Sequence, residues 1–189
     1  MLVTKVNPSG IDFHIQNLQV LLHSRLVELW DINPDTVYQS YGRCYRNRND
    51  KGYIAEVYTS GKEYKEVFWD DRLTAISFFG TNGITKVGIN NEVDVHFILF
   101  ANLSKLPLKD SAGNNVGHRA DEELRQQVQS IIGKNNLRFS LIGIETGIEN
   151  VLKEYPGTRR DERLKHVDMH PVHAFRINLK LSYNPNKNC

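Results

Sequence analysis

Glu92-Val93-Asp94-Val95-His96-Phe97-Ile98-Leu99-Phe100-Ala101 is where the chain states its architecture most clearly. Successive side chains of an extended chain point to opposite sides, so Val93, Val95, Phe97 and Leu99 share one face. Asp94, His96, Ile98 and Phe100 share the other. Both faces turn apolar after His96, and a strand apolar on both faces belongs inside a sheet rather than at its edge. The stretch therefore predicts a central strand.

Downstream, Phe175, Ile177, Leu179, Leu181 and Tyr183 alternate with polar residues and predict a half-buried strand over about 173–183. Upstream, three shorter strands are expected at Tyr53 to Thr59, Glu63 to Trp69 and Leu73 to Phe79. Ser60-Gly61-Lys62 reads as a hairpin connection, Asp70-Asp71 as a tight turn, and Thr81-Asn82-Gly83 as a break. Another strand is expected from Leu137 to Ile144.

Ile11, Ile15, Leu18, Leu22, Leu26 and Leu29 recur at steps of three and four, with Gln16, Gln19, His23 and Glu28 mostly on other faces. They predict a helix over about 11–31, stopped by Asn33-Pro34. A second helix opens at Asp121, with Leu124, Val128, Ile131 and Ile132 as its stripe and Gly133 near its end. Thr146 and Glu149 have capping-box spacing and predict a short helix to Tyr155, broken by Pro156-Gly157. Polar stretches at about 33–52, 102–119 and 157–171 read as long loops, which tend to be functional or mobile. The sum is one α+β domain over 1–189: a mainly antiparallel sheet, helices packed on one side, and long loop arms.

Composition narrows the function classes. With 24 basic and 22 acidic residues the net charge is +2, which gives no strong pull toward nucleic acid or an anionic membrane. Cys44 and Cys189 do not make a disulfide framework. The start Met-Leu-Val-Thr-Lys has no secretory pattern, and no apolar run is long enough to span a bilayer. A soluble protein made in a cytoplasm is expected.

His166, Asp168, His170 and His173 are the strongest candidate for chemistry. On an extended backbone the first three share a face, and imidazole plus carboxylate suits zinc, iron or manganese. A metal-bound water can act as a nucleophile. Against this, Pro171 interrupts the run, His173 falls on a different face, and the spacing matches no helix-borne zinc signature. The favoured expectation is no metal and no cofactor, with the histidines structural; His96 reads as a satisfied histidine of the sheet. Asp70, Asp71 and Glu66 offer paired carboxylates, but adjacent aspartates at a strand end are commonly turn residues. Cys44 has Arg43 and Arg46 nearby, which can lower a thiol pKa.

Tyr38, Tyr41, Arg43, Tyr45, Arg46 and Arg48 interleave rings with cations. Such a segment can stack on bases, but tyrosine and arginine also anchor protein interfaces. With the charge near balance, the interface reading is preferred to nucleic acid, and a solvated loop stands as an equal alternative. Arg159, Arg160, Arg163 and Lys165 are diluted by Asp161 and Glu162 and read as a solvated linker. There is no dinucleotide fingerprint, phosphate loop or nucleophile elbow. A patterned domain with polar excursions and no catalytic signature is the profile of a structural subunit.

The order of elements resembles the neck proteins of tailed bacteriophages: the head–tail connector, head-completion and tail-terminator subunits that form rings between portal and tail. Val93 through Leu103, Gly147-Ile148-Glu149-Asn150-Val151-Leu152, and Asp168 through Pro171 with Phe175 through Leu179 are similar to phages or prophage-like elements of Bacteroides-type bacteria. The resemblance implies a ring of about six or twelve copies, without catalysis, in the neck or tail region of a virion. Its partners would be itself, the portal or other neck proteins, and tail proteins, with DNA only passing through the lumen and no membrane. It carries no functional residue across and leaves the histidine run unexplained. The competing reading is a small metal-dependent hydrolase or nuclease using His166, Asp168, His170 and His173.

Overall fold

The computed structural model describes residues 1–33, 37–58, 63–67, 69–106, 112, 121–134, 138–158 and 170–185. Nine strands and three α-helices follow one another among them. They are β1 (Leu2–Val3), α1 (Ile11–Trp30), β2 (Tyr38–Arg43), β3 (Tyr45–Asn49), β4 (Gly52–Tyr58), β5 (Tyr64–Glu66), β6 (Ala75–Lys86), β7 (Asn91–Asn102), α2 (Asp121–Gly133), β8 (Phe139–Thr146), α3 (Ile148–Val151) and β9 (Val172–Tyr183). The class is α+β, as the pattern of elements predicts.

Six strands form the main sheet in the order β1-β2-β6-β7-β9-β8. β7 is central, as its two apolar faces require, and runs antiparallel to both β6 and β9. β8 is antiparallel to β9. The other side of the sheet is parallel: β1 with β2, and β2 with β6. A parallel neighbour needs a crossover. Between β2 and β6 that crossover holds a second, three-stranded antiparallel sheet, β3-β4-β5.

Period two sorts the core into two halves. Val93, Val95, Phe97, Leu99, Phe175, Ile177, Leu179 and Leu181 point to one face, where α1 and α2 cover them with Ile15, Leu18, Leu22, Leu26, Leu124 and Val128. Truncating a ring such as Phe97 to alanine there costs about 3–5 kcal/mol. Ile76, Phe78, Ile98, Phe100 and Ala174 point to the opposite face, under Ala55, Val57, Trp69, Val151, Leu152 and Tyr155. The two long helices thus share one side of the sheet, while the short α3 and the small sheet cover the other. The cause is local: a second apolar face needs its own cover.

Several boundaries differ from the sequence reading. Residues 33–52 are not a loop arm, because β2 and β3 occupy most of them. β2 buries Tyr38 and Ser40 on alternate positions and satisfies its backbone in a parallel ladder. β3 is rich in arginine and asparagine because it lies on the exposed small sheet. Thr81-Asn82-Gly83 does not end a strand; β6 runs through it with shifted register to Lys86. β5 is shorter than expected. In α1 the buried stripe ends on Trp30, four residues after Leu26, while Leu29 is exposed; Gln19 and His23 are buried. Gln19 donates to the carbonyls of Val3 and Ser40, both at 2.9 Å, and so ties α1 to the first two strands. The Thr146 capping box does not form: Gly147, at φ +83°, is the N-cap of α3 without a side-chain cap bond. Of the two other expected loops, 107–111 with 113–120, and 159–169, lie outside the described residues, as does Ser60-Gly61-Lys62. Leu103–Lys105 is a single turn of 3-10 helix.

Candidate functional site

The outer face of the sheet carries a buried polar network. β7 supplies His96, β9 supplies Arg176 and Asn178, β8 supplies Glu145, and the turn after α3 supplies Lys153, Glu154 and Tyr155. Both terminal nitrogens of Arg176 meet the Glu154 carboxylate, with Nη2 2.9 Å from Oε1. Arg176 Nε donates to Asn178 Oδ1 at 2.7 Å. Asn178 Nδ2 donates to Glu145 Oε1 at 2.8 Å, and Lys153 Nζ reaches the same oxygen at 2.8 Å. Nothing in the alternation of β9 marks Arg176 as buried. The signal lies in its neighbours, since Ala174 and the facing Ile98 and Phe100 make that side of the sheet a covered surface.

His96 Nε2 lies 3.2 Å from Tyr155 Oη. This contact exists because position 80, opposite His96 in the ladder, is glycine. A Cβ there would lie 2.1 Å from both His96 Nε2 and Tyr155 Oη. His96 Nδ1 is buried without a hydrogen-bond partner among the described residues, so the histidine is only half satisfied. Burial, reinforced by the nearby Arg176 cation, pulls the His96 imidazole down to about 3. Burial also pushes the Tyr155 phenol up. For Glu154 burial opposes the charge, but hydrogen bonds and attraction from Arg176 prevail and hold the carboxyl below its usual range. Glu145 is held low in the same way by Lys153 and Asn178. Near neutral pH these groups keep their protonation states. Chemically the network clamps the α3 turn to the sheet rather than relaying protons.

An open cleft of about 490 Å³ adjoins this network, lined by Arg43, Cys44, Tyr45, Arg46, Thr81 and Tyr155 among others. Burial pushes the Cys44 thiol well up, and Arg43 only partly opposes it. Cys44 is therefore an inert core thiol rather than an activated one.

The six interleaved rings and cations do not form one surface. Tyr38 is buried; its hydroxyl is 2.8 Å from Ser77 Oγ and its ring stacks on His23. It is a core residue and cannot meet a partner. Tyr41 is half-buried and donates to Gln39 Oε1 at 2.8 Å. Arg43 pairs with Asp12, Nε to Oδ1 2.5 Å, an aspartate that Lys5 also contacts at 2.6 Å. Arg43 further lies 4.9 Å from the Tyr45 ring centre. Arg46 stacks over Tyr53 at 3.6 Å and donates from Nε to the Glu154 carbonyl at 3.1 Å. Arg48 is exposed on β3. Arg43 and Arg46 thus serve the fold, and the surface share of this segment falls to Tyr45, Arg46 and Arg48.

His166 and Asp168 lie outside the described residues. His170 is exposed. His173 pairs with Ala101 in the ladder, packs on Phe175, and has Nε2 3.5 Å from Arg125 Nη1. A guanidinium at that distance opposes a metal cation on the same nitrogen. Among the described residues no three His, Cys, Asp or Glu side chains gather as a metal site. Asp70 and Asp71 form a turn: the Leu73 N–H donates to the Asp70 carbonyl, and Arg72 holds the Asp70 carboxyl down to about 2.

The features that sequence reasoning passed over are the tip of the β6–β7 hairpin and the edge of the sheet. Val87 and Ile89 are 80% and 85% exposed, and Ile84 joins them on the arm. Leu141 and Ile142 are exposed on β8, the last strand of the sheet. The short, glycine-punctuated sequence Gly83-Ile84-Thr85-Lys86-Val87-Gly88-Ile89 is the signal for the first.

No protein-family model matches this sequence, and no curated protein matches it. Among the described residues no helix is long and apolar enough to cross a membrane.

Proposed function

We propose that this chain is a structural virion subunit that forms a ring of about six or twelve copies in the neck or tail-joining region of a tailed phage, through protein–protein contacts and without catalysis. The observation that carries the reading is the β6–β7 hairpin. Its strands are rooted in the most deeply buried part of the sheet, yet its tip holds Val87 and Ile89 out in solvent. Exposed apolar side chains clustered on a projecting arm mark an interaction site. The resemblance of Val93 through Leu103, Gly147 through Leu152 and Phe175 through Leu179 to phage neck proteins supports the same reading. Its partners are further copies of itself, the portal or other neck proteins on one side and tail proteins on the other, with DNA passing through the lumen. The subunit is made in the host bacterial cytoplasm and resides in the virion.

Native mass spectrometry and negative-stain electron microscopy test this, on the full chain alone and mixed with portal and tail proteins of a Bacteroides-type phage. Closed rings that bind at least one of those partners are expected. A chain that stays monomeric across the concentration range, with and without the partners, overturns the reading.

A further inference from the structure

Helix α1 is apolar on two sides. Its buried stripe, Ile15, Leu18, Leu22 and Leu26, lies on the sheet. On the opposite side Phe13, Asn17, Val20, Ser24 and Val27 recur at steps of four and three, which keeps them in one line along the helix. Phe13 and Val20 are 38% and 40% exposed, and Val27 is half-buried. A helix at the surface of a domain ordinarily turns polar residues to this side. α2 does so on the same side of the sheet, with Glu122 and Gln126 exposed. α1 packs on β2 and α2, and neither covers the second stripe.

The charges at the two ends of α1 say what fits there. Carboxylates suit the N-terminal end of a helix and cations the C-terminal end. α1 ends the opposite way: Glu28 and Asp31 stand at its C-terminal end, and its last turn holds no basic residue. Arg25 meets Glu28 at 2.9 Å, both in solvent, and Asp31 leaves one negative charge over. At the N-terminal end two cations, Lys5 and Arg43, share the single carboxylate of Asp12, which leaves one positive charge over. A second α1 laid antiparallel against the first brings each acidic end to a basic one and opposes the two macrodipoles. A parallel α1 sets like against like.

The side chains of the stripe are self-complementary in the same antiparallel sense. With a two-fold axis beside Val20, that residue meets Val20 of the second copy. Asn17 then comes level with Ser24 of the second copy, and Phe13 with its Val27. Apolar meets apolar, and amide meets hydroxyl. The Ser24 hydroxyl donates to the Val20 carbonyl at 2.9 Å, so its oxygen is left to accept from the Asn17 amide. Helices in contact lie about 8–10 Å apart, which brings these side chains within reach.

We propose that the outer side of α1 is a two-fold contact, on which α1 of a second copy of this chain lies antiparallel. The contact is isologous, the same surface on both copies, so it closes on itself as a pair. It goes beyond the ring reading, because the pair forms whether or not pairs assemble into rings.

Cysteine cross-linking of the full chain tests it. In a Cys189→Ser background, with Cys44 buried, Val20→Cys, Asn17→Cys and Ser24→Cys are made singly. All three positions are exposed, and a thermal melt of each variant confirms that it is folded. A disulfide needs the two Cα atoms within about 7 Å. Under mild oxidation Val20→Cys alone is expected to give a covalent dimer. Asn17→Cys and Ser24→Cys are expected to cross-link when mixed, and neither by itself. Sedimentation velocity on Val20→Glu should show the pair lost. Asn17→Cys and Ser24→Cys that each cross-link to their own kind reveal parallel helices and overturn the proposal. Closed rings that show no cross-link at these positions overturn it and leave the ring reading intact. Cross-linked pairs that never build rings uphold it while the ring reading falls. A chain whose Val20→Cys cross-links only to an added portal or tail protein assigns the stripe to that partner and overturns the pair.

Discussion

Arg176 of β9 and Glu154 of the turn after α3 meet through both guanidinium Nη atoms and both carboxylate oxygens, under the cover of the outer face. Arg176 is 2% exposed, so its charge depends on this partner rather than on water. Removing one member of a buried pair leaves an uncompensated charge, whereas replacing both with apolar groups is often neutral. Glu154→Gln is therefore expected to lower stability by about 3 kcal/mol, read as a shift in the denaturant midpoint at constant slope. The double variant Glu154→Leu/Arg176→Met should recover most of the loss. A single variant indistinguishable from the parent would show that Arg176 reaches water.

His96 fixes a pH dependence. Its folded value near 3 lies below the ordinary 6.5, so between these limits the unfolded chain binds a proton that the folded chain refuses. Stability is fully present above about pH 6.5 and falls as the pH drops, by about 1.4 kcal/mol per unit. Glu154, Glu145 and Asp12, all held below their ordinary values, add their own loss as the pH falls through the carboxylate range. Unfolding curves between pH 7 and 4 check this. His96→Gln should flatten the slope between pH 6 and 5, and an unchanged slope there would mean that another group carries it.

Gly80 is where the backbone makes room for the His96–Tyr155 contact. Gly80→Ala is expected to destabilise by about 1–3 kcal/mol through overpacking. In the Gly80→Ala/Tyr155→Phe background, which removes the Tyr155 hydroxyl and leaves the His96 ring in the way, the cost should be smaller. Gly133→Ala, at the end of α2 with nothing within 4 Å of the new Cβ, is the control and should be neutral or slightly stabilising. Equal effects at 80 and 133 would contradict the close approach.

The hairpin tip separates folding from assembly. Val87→Asp/Ile89→Asp should leave the thermal midpoint nearly unchanged, because exposed changes away from packed features shift stability by about 0.5 kcal/mol or less. Sedimentation velocity on the same sample should show assembly lost or greatly weakened. Wild-type assembly in the double variant would remove the hairpin from the interface.

Much of the fold is legible residue by residue. The spacing of Ile11, Ile15, Leu18, Leu22 and Leu26 gives α1, and the alternation through Val93–Ala101 and Phe175–Tyr183 gives the two central strands. β2 and β3 are not legible in the same way, because their ladders do not show in their own sequence. β2 is held in a parallel ladder by a strand more than thirty residues away, with the Tyr38 ring packed on His23 and Trp30 of α1, and β3 sits on a small sheet whose outer side tolerates arginine. The candidate site was less legible still. Arg176, Glu154 and His96 lie on three separate elements, and each alone looks like an ordinary polar position.

By itself the sequence determined the strong periodicities, and with them the two long helices and the central strands β7 and β9 with most of the residues they turn to the core, because these depend on neighbours two to four positions apart. Only the tertiary structure decided that β2 pairs parallel to β6, that the small sheet covers the second face, and that Arg176 is buried against Glu154. Those outcomes depend on contacts between distant segments, whose register and burial are set by the joint packing of all the elements.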